Sequence, residues 1–404
     1  MSEDARRAVE LAARDSYGRL VAWLASRCRD LAMAEDAAGE ALEAALRRWP
    51  GDGVPANPEA WLLTVARRRM IDRVRRNETR RSAIDRLTLE AQEAADTGFR
   101  AGLPDRRLTL MFVCAHPAIA QEMRTPLMLQ TVLGLSADRI GSAMLVKPAT
   151  MGQRLSRTKR RIKEAGVPFE VPPPEVLEER VGYVLDAIYA AYGSSWEGSA
   201  TGLSTEAIWL ARLVVGLAPN VAEAKGLLAL MLYCESRRNA RRDDGEFVPL
   251  EEQDITRWDH EQILEAEKAL WLAAQQKQQG PYQAEAAIQS VHAHRARTGT
   301  TDWNAVHQIY QVLDAHFPSM GARVGLAASF GRIGRAEEGL AVLDALDGPW
   351  ERHQPYWAMR AYLLRELQRE DALDAYERAM GLTEDPSIRR WLLAQAKLIR
   401  PPSE

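Results

Sequence analysis

The sequence predicts an all-α protein of several domains, and three observations predict it. Apolar residues recur at three- and four-residue spacing along almost every segment. Strand-like alternation between turn residues is hard to find, and the breaks in the helical pattern are rich in proline and glycine. With 404 residues, 46% hydrophobic and 27% charged, the chain is long enough for two or three domains that each bury a core. No apolar run approaches the roughly 20 residues a membrane span needs. The acidic opening Met1-Ser2-Glu3-Asp4 lacks the basic and apolar regions of a signal peptide, so a cytoplasmic chain without membrane contact is expected. Cys28, Cys114 and Cys234 are far apart and fit no CxxC spacing, which argues for free thiols over a disulfide framework or a zinc site.

The first break, Pro50 to Pro58, is expected to be a loop. Asn57 is a good N-cap and Pro58 a good first helical residue, so a helix is expected from there to about Glu78. Leu62, Ala66, Met70 and Val74 form its apolar stripe. Another face collects Trp61, Val65, Arg68, Asp72, Arg75 and Arg76, with Arg67, Arg69 and Arg73 on the flanks. Arginines that track phosphates beside a ring that accepts unstacked bases make up a single-stranded nucleic-acid groove. The plainer reading is a solvated charged face, and for Trp61 core packing is preferred over base stacking.

After a second break, Asp96 to Pro104, Leu135-Ser136 followed by Ile140, Met144 and Leu145 predicts a short capped helix. Val146-Lys147-Pro148 then turns into a second helix from Ala149 to about Glu164. On this helix Met151, Leu155, Thr158 and Ile162 recur at core spacing. Gln153, Arg157 and Arg160 point the opposite way, flanked by Thr150, Arg154 and Arg161. A helix that reads duplex DNA needs this division: one face to pack, one to offer Gln or Arg to base edges, and shoulders to bind phosphate.

The third break, Val167 to Pro174, holds Pro168, Pro172, Pro173 and Pro174 and coincides with a change in the sign of the charge. Through Ala165 there are 29 Lys+Arg against 21 Asp+Glu, or +8, and beyond it 24 against 35, or −11. The first part suits a polyanion and the second does not. Between them lies a stiff, polyproline-like spacer. Near the C-terminus Ala336, Leu340 and Leu343 are answered 36 residues later by Ala372, Tyr376 and Ala379. Tetratricopeptide repeats, of period about 34, place small and aromatic residues in this way so that paired helices nest. Tyr356 fits that pattern, while Leu363 and Leu367 replace its usual aromatic and glycine.

Chemistry is hard to place on this chain. It contains no GxxxxGK[ST] loop, HExxH helix or GxSxG elbow. His292 and His294, two apart, lie on different faces of a helix and cannot chelate together. Asp243, Asp244, Glu251, Glu252 and Asp254 lack the alternation of a calcium loop and are expected to form a solvated acidic loop. No catalytic residue, metal or cofactor is expected.

The run Ala34-Glu35-Asp36-Ala37-Ala38-Gly39-Glu40-Ala41-Leu42, with Ala56-Asn57-Pro58-Glu59-Ala60-Trp61-Leu62 and Val65-Ala66-Arg67-Arg68, closely resembles region 2 of the extracytoplasmic-function sigma factors. The resemblance implies that Asp36 and Glu40 dock on the beta-prime clamp of core RNA polymerase. It also implies that Asn57, Arg67, Arg68, Arg75 and Arg76 capture the melted minus-ten element of promoter DNA. Gly39 stands where the family has glutamine, and Arg68 where it has asparagine. The second helix pair resembles sigma region 4, the reader of the minus-35 element, matching at Thr150, Arg154, Leu155 and Arg157 and departing at Gly152 and Gln153.

Asp105-Arg106-Arg107-Leu108 through Met111-Phe112-Val113-Cys114-Ala115-His116-Pro117, Arg257-Trp258-Asp259 and Gly280-Pro281-Tyr282-Gln283-Ala284-Glu285-Ala286-Ala287-Ile288 are similar to the subgroup with a long tetratricopeptide-like extension. Ala115 stands where that subgroup has a second cysteine, and Cys114 with His116 alone does not make a zinc site. The implied domains are region 2 over 1–82, a linker over 83–104, region 4 over 105–167, the proline-rich spacer over 168–175 and the extension over 176–404. The implied function is a non-catalytic sigma factor that directs promoter recognition and transcription initiation. Its acidic extension is expected to make intramolecular contact with regions 2 and 4 and regulate activity, or to bind a protein partner. Short tethering holds the two halves near millimolar effective concentration, so even a weak complementary contact is populated. Two alternatives stay open: a helical-repeat scaffold, and a duplex-DNA-binding regulator that acts without polymerase.

Overall fold

The computed structural model describes residues 3–76, 105–144, 146–194, 201–347 and 350–399. They form two compact units, Met1–Ala218 and Pro219–Glu404. Apart from one two-residue hairpin, the regular structure among the described residues is helical, so the all-α reading holds. No helix among them is long and apolar enough to cross a membrane.

In the first unit α1 (Glu3–Cys28), α2 (Leu31–Asp52) and α3 (Pro58–Arg76) pack on one another. Small side chains allow this. Ala34, Ala37, Ala38, Ala41 and Ala45 of α2 are buried against Leu20, Val21 and Leu24 of α1 and Leu62, Ala66 and Met70 of α3. Alanine is also the best helix former, so the same residues favour the helix and the close approach. Asp30 caps α2, its Oδ1 accepting from the Met33 N–H at 3.2 Å, and Asn57 caps α3 by accepting from Ala60 at 3.0 Å. Such caps contribute about 1 kcal/mol each.

The loop expected from Pro50 begins three residues later, because α2 continues through Pro50 to Asp52. Proline there forfeits one backbone donor. The last turn is held by Trp49, which is buried and packs edge-on against Trp61 with ring centroids 5.6 Å apart. Gly53, at φ 84°, ends it by donating to the Trp49 carbonyl at 3.1 Å. Trp61 itself is half-buried, with its ring against Trp49.

The unit continues with α4 (Arg107–Cys114), α5 (Gln121–Thr131), α6 (Ala137–Ala143), α7 (Pro148–Glu164), α8 (Pro174–Ser194) and α9 (Thr201–Leu217). At Gly18 of α1 an added Cβ would lie 1.9 Å from the Val132 carbonyl oxygen, so α1 meets the end of α5 at a backbone contact only glycine permits. The linker expected over 83–104 lies outside the described residues. The stretch 167–173 is non-helical, with Pro174 opening α8 at its first turn. The compact unit does not end there. Val167 and Pro172 are buried, and α8 and α9 pack back on α5 and α4, so the division between units falls at Ala218.

The second unit strings together α10 (Ala222–Ser236), α11 (His260–Gln275), α12 (Pro281–Thr298), α13 (Trp303–His316), α14 (Met320–Arg332), α15 (Ala336–Asp344), α16 (Gln354–Glu366), α17 (Ala372–Leu382) and α18 (Pro386–Lys397). Each packs on the next, and α10 also meets α12 and α14 meets α16, as in stacked helix pairs. Ala336, Leu340, Leu343, Ala372, Tyr376 and Ala379 are all buried in one cluster, so the residues of the 36-residue periodicity are core positions. A hairpin of β1 (Arg242–Asp243) and β2 (Glu246–Phe247) interrupts the helices between α10 and α11.

Candidate nucleic-acid interface

Asp36 and Glu40 lie one turn apart on α2, and α3 answers them. Arg73 donates to Asp36 Oδ2 and Glu40 Oε1, each at 2.5 Å, and Arg69 sits 3.5 Å from Glu40 Oε2. The side chains of Asp36 and Glu40 are 58% and 32% exposed. Ion pairs of that exposure contribute at most about 1 kcal/mol, so an incoming cation can exchange with Arg73 at small cost. Two flanking arginines of α3 are therefore engaged with acids.

Of the expected minus-ten residues, Asn57 and Arg68 are exposed. Arg67 is half-buried, and burial, with Arg27 nearby, pulls its guanidinium below the usual range. The side chains of Arg75, Arg76 and Val74 lie outside the described residues.

In the next element pair, Ser136 caps α6 by accepting from Arg139 at 3.3 Å, and ahead of α7 the Val146 N–H donates to the Gly141 carbonyl at 2.8 Å. Met151, Leu155 and Ile162 are buried, Thr158 is half-buried, and Gln153, Arg154, Arg157, Arg160 and Arg161 are exposed, with Thr150 half-buried at the start. The division expected of α7 is present. One shoulder is partly used, since Arg161 Nε donates to the Ala118 carbonyl at 2.8 Å.

Two lysines of α7 were missed by face counting, and they tie this helix to α2. Lys159 pairs with Glu35 and Lys163 with Asp30. The Lys159 and Glu35 side chains are only 10% and 12% exposed. Burial raises the Glu35 pKa while Lys159 opposes it. No periodicity signals a contact between residues 124 positions apart.

A second missed group joins α4 and α5 to α8 and α9. Arg107, buried, bonds Asp105, pairs with Glu206 and lies 4.5 Å from the Trp209 ring. Arg124 lies 4.2 Å from the Tyr183 ring, and Arg139 donates to the Ser194 carbonyl at 3.4 Å. Cys114 is buried with its Sγ 3.7 Å from Thr131 Oγ1, and burial pushes its thiol up to about 12. Its neighbour in sequence, His116, turns its Nδ1 to the Ala118 N–H at 3.1 Å. Burial likewise pushes Cys28 up to about 11.

Residues 13–81 match the family Sigma-70 region 2, and residues 180–274 match a Family of unknown function (DUF6596). The chain is 36% identical over 381 residues to the uncharacterized protein R00370 of Rhizobium meliloti (strain 1021), an alignment that covers 91% of this chain and 90% of that one. No solved structure matches.

Proposed function

We propose, from the match of residues 13–81 to Sigma-70 region 2, that the chain is a cytoplasmic, non-catalytic sigma factor of the extracytoplasmic-function type with a regulatory, tetratricopeptide-like extension. Region 2 carries the family's roles in binding core RNA polymerase and recognising promoters. In the proposed assignment Asp36 and Glu40 dock on the beta-prime clamp, and Asn57, Arg67, Arg68, Arg75 and Arg76 hold the melted minus-ten strand. Thr150, Gln153, Arg154, Arg157, Arg160 and Arg161 read or position the minus-35 element.

The observation that carries this reading is the two-faced α7, whose packed stripe leaves Gln153, Arg157 and Arg160 exposed together on a helix opened by Pro148. A duplex-binding face on a chain with a region 2 is what a promoter reader requires.

The extension is proposed to set the arrangement of regions 2 and 4. The contacts of α8 and α9 with α4 and α5 support this, while the clasp of α7 on α2 joins regions 2 and 4 directly. Minus-ten and minus-35 elements lie about 25 base pairs apart, roughly 85 Å at 3.4 Å per pair. Helices in contact cannot span that distance, so the clasp must open when both elements are engaged.

Copurification with core RNA polymerase tests the assignment. Reversing Asp36 and Glu40 to arginine is expected to abolish association, with the circular dichroism of the chain unchanged. Undiminished association of the folded variant would remove these residues from the polymerase surface.

A further inference from the structure

Between α10 and α11 the second unit carries an insertion that belongs to neither helix. Its residues 241–257 include six carboxylates, Asp243, Asp244, Glu246, Glu251, Glu252 and Asp254, and three cations, Arg241, Arg242 and Arg257. The sequence suggested a solvated acidic loop. The structure instead lays it against three helices that are remote in sequence.

Asp244 and Gly245, both at positive φ (44° and 81°), form the turn of the small hairpin. Glu246 reaches Arg390 of α18, with Nη2 to Oε1 at 2.7 Å and Nε to Oε2 at 3.0 Å, and the Phe247 ring packs edge-on against Trp391, 5.7 Å between centroids. Arg242 donates to Ser387 Oγ at 2.7 Å and pairs with Asp385 at the start of the same helix. Farther along, Arg332 of α14 meets Glu251 Oε2 at 2.7 Å. Arg295 of α12 donates to two main-chain carbonyls, those of Glu251 at 2.6 Å and Gln253 at 2.8 Å.

This is how a receptor holds a peptide, and it differs from how a core holds a loop. Of residues 241–257 only Gln253 is buried, so little apolar surface anchors the segment. An arginine fork on the carbonyls of Glu251, in the 3-10 turn Leu250–Glu252, and Gln253, just after it, grips the main chain whatever its side chains are. Arg332 and Arg390 each select a carboxylate, and Trp391 offers a ring to an aromatic neighbour. The base of the insertion is closed by the Asp259 N–H on the Ser236 carbonyl at 2.8 Å and by Arg241, which donates to the Cys234 carbonyl of α10, so release of the segment beyond Arg241 leaves this closure in place.

We propose that the face formed by Arg295, Arg332 and Arg390 is a binding site for an acidic, turn-forming segment of a partner protein, and that residues 241–257 occupy it as a tethered pseudo-ligand which the partner displaces. The tether keeps the segment at high effective concentration. The ion pairs that seat it are partly exposed and screened by salt, so a longer or more acidic segment outcompetes it. The proposal does not depend on the initiation-factor reading.

The test uses the full chain and a fluorescent peptide with the sequence of residues 241–257. In the Glu246→Arg/Glu251→Arg variant both carboxylate contacts become repulsive while the three receptor arginines remain. Amide exchange over 246–257 is expected to accelerate at least tenfold with the surrounding helices unchanged. The variant is expected to bind the peptide at least tenfold more tightly than the wild type. Adding Arg332→Glu and Arg390→Glu to it should abolish that binding, and a peptide with its acids replaced by lysine should not bind.

Unchanged protection of 246–257 would make the insertion a fixed structural element and overturn the proposal. So would a released segment with no peptide binding, equal binding by wild type and variant, or equal binding of the lysine peptide. If charge reversal prevents folding, Glu246→Gln/Glu251→Gln is read by the same two measurements, with a smaller change of the same sign expected.

Discussion

Replacing Lys159 by methionine isolates the clasp between α7 and α2, because methionine keeps most of the side-chain stem and removes only the charge. Lys159 and Glu35 are about nine-tenths buried, and Glu35 Oε1 has no hydrogen-bond partner among the described residues. Removing one member of such a pair leaves an uncompensated buried charge, a loss of about 3 to 5 kcal/mol. The lower end applies here, because the pKa of Glu35 is already raised by burial and the carboxyl can relieve the loss by taking up a proton. About 3 kcal/mol is roughly a hundredfold in the equilibrium that holds the clasp, at about 1.4 kcal/mol per factor of ten. Glu35→Gln alone, which leaves the Lys159 charge unpaired, should cost a similar amount, and combining it with Lys159→Met should restore stability to within about 1 kcal/mol, a coupling energy of about 5 kcal/mol. Lys163→Ala, at the more exposed pair, should cost about 1 kcal/mol or less. Urea unfolding followed by tryptophan fluorescence measures all four. A loss below about 1 kcal/mol for Lys159→Met, with no coupling to Glu35, would show that the contact behaves as a surface pair and holds nothing in place.

On the exposed face of α7, replacing Arg157 or Arg160 should cost about 1 to 3 kcal/mol at a single promoter position, whereas replacing Arg154 should weaken every sequence alike. Fluorescence anisotropy on a set of minus-35 variants separates the two outcomes, and uniform losses throughout would reduce the helix to a phosphate binder. In the second unit, burial and then Arg237, Arg295 and Arg332 hold the His292 pKa down to about 3. The unfolded chain, with an ordinary His near 6.5, binds the extra proton between those values, so the contribution is full above pH 6.5 and is lost as pH falls, by at most about 1.4 kcal/mol per pH unit. His292→Leu should flatten the dependence of the urea midpoint between pH 7.5 and 5, and an unchanged slope would assign the acid sensitivity elsewhere. A chain ending at Ala218 should melt as one folded body, while one ending at Val171 loses the Glu206 and Trp209 partners of Arg107 and should melt at least about 5 °C lower. Equal melting temperatures would show that α8 and α9 do not brace α4 and α5.

Local signals in the sequence proved reliable where one helix settled the matter. The period of Leu62, Ala66 and Met70 and the Asn57-Pro58 start place α3, and the stripe of Met151, Leu155 and Ile162 places α7, because burial on one face leaves its mark on the residues of that face. Contacts between remote elements left no such mark. Lys159 and Lys163 fall on the flank of α7 and look like solvated cations until α2 is beside them. Arg73 looked like a nucleic-acid residue until Asp36 and Glu40 claimed it. The spacer at 168–175 marks a real break in helix but not the division between compact units, since α8 buries Val181, Val184, Leu185 and Ile188 within the first. Pro50 misplaced the end of α2, where the packing of Trp49 outweighs the missing donor. The hairpin did carry a local signal, the dipeptide Asp244-Gly245, hidden among carboxylates that resembled a solvated loop.

The most direct measurement is initiation in a reconstituted system: the purified chain, cognate core RNA polymerase and a library of promoter fragments, with transcript starts mapped by sequencing. A sigma factor of this kind should form a stable complex with core and produce starts confined to fragments that share paired upstream elements, with none from core alone. A chain that fails to associate with core at low salt while still binding duplex DNA would contradict the account and leave a DNA-binding regulator in its place.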